Sequence, residues 1–204
     1  MLIMDDSLYN RNRSKKVELL ARVYDHAAHR FVRGFRMLTL GWFDGNFFVP
    51  LAFSSLSSEK AENRLHDMDP SMGRRTSGYH RRHEGMSKAT VVLFDLLSQA
   101  QAAGVKTRIL LFDSWFAFPS TIVRAVGEGM TVICMLKAMK TVNYLVEGKR
   151  LTLPQIYATV RKRRGRAKIL ASVRVEVGTT EQGQRVAAKS VFVRDRNRSK
   201  QWLA

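Results

Sequence analysis

Two aspartates follow apolar runs in positions suited to metal chemistry. Asp5 closes Leu2-Ile3-Met4, and Asp113 closes Arg108-Ile109-Leu110-Leu111-Phe112. Each run reads as a buried strand, and open α/β sheets gather their sites at the C-terminal ends of strands. If the two strands are neighbours, the two acids converge. Carboxylate oxygens are hard donors suited to Mg²⁺ or Mn²⁺. Two such ions can activate an attacking oxygen and stabilise the leaving one at a phosphodiester. Either Asp5 or Asp6 could be the ligand, because side chains alternate along a strand and the two face opposite ways. The competing reading of Asp5-Asp6-Ser7 is a turn that caps the next segment. For Asp113 it is a helix N-cap, a role that Ser114 or Ser120 could equally fill.

The charge balance suits a polyanion. Among 204 residues, 35 Lys and Arg oppose 17 Asp and Glu, a net charge of +18. Such an excess favours nucleic acid through counterion release. A hydrophobic fraction of 45% supports a real core and excludes disorder throughout. The single cysteine, Cys134, lies in the apolar run Thr131–Leu136 and reads as a small buried core residue. It excludes an internal disulfide. No apolar run reaches the roughly 20 residues of a spanning helix, and no signal peptide is visible. A soluble, cytoplasmic protein with no membrane partner is expected.

The elements that must position the acids read as an α/β sheet with an antiparallel portion. Leu2 to Met4 is a short strand, Asp6 to Lys16 a polar loop, and Val17 to Asp25 a short helix or a strand. Gly34 to Phe43 and Phe47 to Phe53 pair across the turn Asp44-Gly45-Asn46. Ser54 to Lys88 reads as a long exposed excursion. Ser87 to Gly104 is helical, with Ser87 as N-cap and Gly104 as stop. Strand Arg108–Phe112, a helix from Pro119 to Val126 ended by Gly127-Glu128-Gly129, and strand Thr131–Leu136 complete the core. Beyond it, 140–204 reads as a β-rich insertion. Lys168 to Val177 and Arg185 to Arg194 alternate as a hairpin, and Gln201-Trp202-Leu203-Ala204 opens a further strand.

Three stretches resemble the DDE transposases. Asp5-Asp6-Ser7 after a short strand is similar to their first-acid motif. Phe35-Arg36-Met37-Leu38-Thr39-Leu40-Gly41-Trp42-Phe43-Asp44-Gly45, running on to Phe48-Val49-Pro50, resembles their second and third strands. Leu110-Leu111-Phe112-Asp113-Ser114-Trp115-Phe116, with Pro119 behind it, resembles their second-acid motif. The likeness is most specific to transposases of bacterial insertion sequences of the insertion-sequence-four group. It implies an RNase H-like mixed sheet with flanking helices, residues 1–139 as its partial core, and 140–204 as an incomplete β-rich insertion. It assigns Asp5 and Asp113 as catalytic metal ligands, with Asp6 as alternate, for a two-metal Mg²⁺ or Mn²⁺ centre. It implies transposon ends and target DNA as partners, allows a homodimer in a synaptic complex, and places the protein on the bacterial nucleoid when bound. The family's third acid is a Glu in a Tyr-Arg-Glu helix after the insertion. Glu147, Glu176 and Glu181 do not match it, so the resemblance implies a chain truncated at both ends, with that ligand beyond Ala204.

Two basic segments fit DNA contact. Arg74, Arg75, Tyr79, Arg81, Arg82 and Lys88 combine phosphate-binding cations with an aromatic for stacking, and Arg161 to Arg166, including Arg163 and Arg164, forms a second patch. A solvated surface loop is the alternative for either. His26 and His29, and His80 and His83, lack the cysteine partners of a structural zinc set. Ser114 has no histidine in a readable relation, and neither a nucleophile elbow nor a phosphate loop is present. The competing function is a non-catalytic basic protein that binds DNA or RNA.

Overall fold

One long strand organises the N-terminal half. The computed structural model describes residues 1–165, 167–196 and 201–204. It resolves two compact units, Met1–Thr107 and Arg108–Ala204. In the first, β1 (Leu2–Asn10), β2 (Ala21–Asp25), β3 (Arg30–Phe43) and β4 (Phe48–Leu56) form an antiparallel array. β3 takes β1 along one edge, from Leu2↔Trp42 to Asn10↔Gly34. Along its other edge it takes β2 first and β4 further on. Gly34 is paired on both sides, with Asn10 and Ala21. A Cβ there would stand 2.3 Å from the Tyr9 carbonyl oxygen, so the close approach requires glycine.

The β3–β4 turn forms as expected. The Asp44 carboxylate accepts the N–H groups of Asn46 and Phe47, both at 2.7 Å, and Gly45 takes φ +117°. Those bonds, Phe47's first, hold the Asp44 carboxyl below its ordinary value. Of Val17–Asp25, only Ala21–Asp25 forms strand (β2), and Val17–Leu20 enters it through a turn rather than a helix.

Three expectations are corrected here. Residues 6–10 are strand rather than loop: β1 runs on through Asn10, because β3 offers it a continuous ladder that outweighs the polar composition. The excursion over 54–88 holds more order than its composition suggests. Ser54 and Leu56 finish β4 and are 4% and 2% exposed, a short 3-10 helix spans Ala61–Asn63, and α1 spans Ser77–Gly85. Ion pairs from Arg82 to Glu18 and Arg81 to Glu84 hold α1 in place of an apolar stripe. Ser87 does not cap the next helix, α2 (Ala89–Ala102). Lys88 holds that position without a side-chain bond, and the Ser87 hydroxyl turns back to the His83 carbonyl at 3.4 Å. α2 packs on β3 and β4 through a buried face that includes Val92, Leu93, Leu96 and Leu97.

The second unit begins with β5 (Ile109–Phe112), α3 (Pro119–Gly127) and β6 (Thr131–Cys134). β5 and β6 are parallel, registered from Ile109↔Thr131 to Phe112↔Cys134, with α3 as the crossover a parallel pair needs. Cys134 is half-buried rather than enclosed, since both faces of β6 keep some exposure. The rest is an antiparallel sheet of β7 (Tyr144–Val146), β8 (Lys149–Leu151), β9 (Ile169–Thr179), β10 (Arg185–Arg194) and β11 (Trp202–Leu203), in the order β11-β10-β9-β7-β8. A helix, α4 (Leu153–Thr159), follows β8 and is capped by reciprocal bonds between Thr152 and Gln155. The β9–β10 hairpin and the strand at Trp202 match the sequence reading. The molecule is mixed α/β with a second, antiparallel sheet, an architecture compatible with an RNase H-like fold.

Candidate metal and nucleic-acid site

Asp5 lies in the middle of β1 rather than at its tip, because the strand continues to Asn10. Strand alternation then separates the two neighbouring acids. Asp5 is exposed, and the Ser7 hydroxyl, two residues on along the same face, donates to its Oδ2 at 2.8 Å. Asp6 is turned the other way, its side chain only 11% exposed. There the Arg36 guanidinium pairs with it from β3, diagonally across the register Asp6↔Leu38 and Leu8↔Arg36. The cation compensates a charge that burial alone would penalise. Asp5 thus keeps a carboxylate available to an outside ligand, while Asp6 is committed within the fold.

Asp113 stands where the sequence puts it, one residue beyond β5. It is exposed, and its Oδ1 accepts the Trp115 N–H at 2.9 Å, a short Asx turn. Its carbonyl accepts the Phe116 N–H at 3.3 Å. Phe116 is fully buried and meets Phe112 edge-on at 6.3 Å, so an apolar anchor fixes the loop that carries the acid. Trp115 is 40% exposed, and Lys137 Nζ lies 5.8 Å from its ring centroid. An aromatic face and a cation therefore flank Asp113, a pairing suited to a base and a phosphate. The sequence reading did not single out Trp115 and Lys137 as site residues. The signal was available: both follow the C-terminal ends of neighbouring parallel strands, where such sheets bind ligands.

The donors suit a hard divalent cation in type. Among the described residues no three His, Cys, Asp or Glu side chains come together as a ligand set. In general, one or two carboxylates can hold Mg²⁺ while water and substrate phosphate fill its remaining positions.

The expected DNA contacts divide into engaged and open groups. Arg82 is paired with Glu18 and also donates to the Gly78 carbonyl. Arg81 shares Glu84 at 3.3 Å. Tyr79 is half-buried, its ring stacked against His83 at 6.1 Å. Arg74, Arg75 and Lys88 are exposed. Arg163 and Arg164 lie in an exposed turn that is pinned in two ways. The Arg163 N–H donates to the Leu170 carbonyl at 2.7 Å, and Arg194 donates to the Gly165 carbonyl at 3.0 Å. Arg166, the last residue of that basic run, lies outside the described residues.

Comparison with curated proteins and with solved structures finds no match. The family model described as DDE superfamily endonuclease matches residues 1–200. That match spans nearly the whole chain and includes both candidate acids, and the chain belongs to the DDE superfamily endonuclease family.

Proposed function

We propose that this chain is a transposase of bacterial insertion sequences, of the insertion-sequence-four type, in which Asp5 and Asp113 hold Mg²⁺ or Mn²⁺ for cutting and joining DNA. Membership of an endonuclease family implies DNA as substrate and divalent metal as cofactor class. The observation that carries the residue assignment is the division of labour at β1, where Asp6 is committed to Arg36 and Asp5 is exposed beside a hydroxyl. When bound, the metal supplies Lewis-acid activation of the attacking oxygen and stabilisation of the leaving one. The chain's own residues do the rest. Ser7 orients the Asp5 carboxylate, and Phe116 with the Asx turn fixes Asp113. Trp115, Lys137 and the exposed arginines hold the nucleic acid. Two copies meeting in a synaptic complex belong to the same reading.

The test is strand cleavage of labelled DNA with Mn²⁺ in the assembled complex. Asp113→Ala is expected to abolish cleavage and to leave DNA binding intact. Persistent cleavage by that variant would remove Asp113 from the site. A second reading, a basic DNA- or RNA-binding protein without catalysis, is favoured by the lack of a three-acid cluster among the described residues. It expects wild type and Asp113→Ala to behave alike.

No helix among the described residues is long and apolar enough to cross a membrane.

A further inference from the structure

The β9–β10 hairpin carries a pair of cations in an arrangement that ordinary sheet packing disfavours. Arg174 and Lys189 are direct register partners. Residues so opposed have Cβ atoms about 4.5–5.5 Å apart, and like charges there repel. Both side chains are exposed and line an open concavity of ≈ 380 Å³ together with Ser172, Val173, Ala187 and Ala188. On the same face, Ser172 stands opposite Val191 and Glu176 opposite Ala187. None of the ion pairs among the described residues joins Glu176 to either cation. The face therefore presents two adjacent positive groups and a hydroxyl donor, with repulsion that a bound anion would relieve.

We propose that Arg174, Lys189 and Ser172 form a binding site for a DNA backbone phosphate on the second sheet. The proposal rests on the DNA-binding reading above and adds a contact that neither the sequence motifs nor the family match assigns. A phosphodiester suits the site in charge and size. Arg offers a planar fork to two oxygens, Lys a point charge and Ser a neutral donor. The contact reads no base, so it sets position and affinity rather than sequence. Charge complementarity selects DNA as occupant, since the whole chain carries +18.

Fluorescence anisotropy of labelled duplex DNA, in EDTA and over a range of KCl, tests this on the full chain. The variants are Arg174→Gln, Lys189→Gln, the double variant and a control, Lys106→Gln, which removes one exposed charge elsewhere. Each phosphate contact contributes about 0.9 to the slope of log affinity against log salt, so the double variant, which loses the one contact, should lose about 0.9 while the control is unchanged. Lys189→Gln should also raise Tm at low salt by removing the repulsion, and inorganic phosphate should raise the Tm of wild type more than that of the variant. An unchanged slope in the double variant, or an equal loss in the control, would overturn the site. Omitting divalent metal separates this test from the cleavage reading. If wild type itself binds no DNA at low salt, the DNA reading falls along with the site. If wild type binds and the variants do not differ from it, the site alone falls.

Discussion

Asp5 and Asp113 are both exposed carboxylates on apolar strands, and the two strands hold them in opposite ways. Asp5 sits mid-strand in an antiparallel ladder, so its outward direction is a matter of register. A slip of one residue would turn Asp6 outward and Asp5 inward. Leu2 and Met4, 0% and 2% exposed, and the contact of Gly34 with the Tyr9 backbone resist that slip. Asp113 lies beyond the ladder of a parallel pair, where no register constrains it. Its direction comes from a turn closed by its own side chain and from the buried ring of Phe116. One acid is placed by pairing and the other by local capping, so the two should fail under different substitutions.

The largest effect should come from removing the anchor of the second acid. Phe116→Ala is expected to cost about 3–5 kcal/mol and, in material that still folds, to weaken metal binding; urea denaturation and Mn²⁺ titration read the two effects. A cost below about 1 kcal/mol would show that the loop holds Asp113 without the ring.

For the first acid, Arg36→Ala should cost about 1–3 kcal/mol by leaving the Asp6 charge enclosed without its partner. The double variant Arg36→Ala/Asp6→Asn should recover most of that loss. Without recovery, the pair is not what compensates Asp6. Gly34→Ala, which pushes a methyl into the Tyr9 carbonyl, should cost a similar ~1–3 kcal/mol and expose the register to slippage, visible as lost amide protection in β1.

The smallest effects should appear in pH dependence, with opposite signs in the two units. In the first, Asp25, Asp44 and Asp69 lie below the ordinary value of 3.8, held down chiefly by bonds from Ala28, from Phe47 and from the Ser71 hydroxyl. Their contribution is present above that pH and fades as pH falls below it. In the second, burial raises the Cys134 thiol from 9.0 to about 11 and, with Cys134 adding to the effect, the Tyr144 hydroxyl from 10.0 to about 12. That contribution is complete below pH 9 and is lost as pH climbs towards 11 and 12. Hydrogen exchange by peptide should show 1–107 loosening first in acid and 108–204 first in alkali. The reverse order would assign the titrating groups wrongly.

Much of this arrangement was legible in the residues. The β3–β4 turn announced itself through Asp44-Gly45-Asn46, and α3 through Pro119 and its closing glycines. Asp113 was found because an apolar run stops at it. The choice between Asp5 and Asp6 was not legible, because it depends on which face of β1 is turned inward and on an arginine 30 residues away in sequence. The second half of β1 and the helix α1 were missed for a related reason. Their order comes from a partner's ladder and from ion pairs, neither of which leaves a hydrophobic period in the sequence.

The assignment of Asp5 and Asp113 as metal ligands is tested most directly by Mn²⁺ titration of the full chain, followed by electron paramagnetic resonance of the free ion. Asp5→Asn and Asp113→Asn should each weaken binding by at least roughly tenfold, and Asp6→Asn should leave it unchanged. Equal Mn²⁺ affinity in wild type, Asp5→Asn and Asp113→Asn, or loss of binding in Asp6→Asn alone, would contradict it.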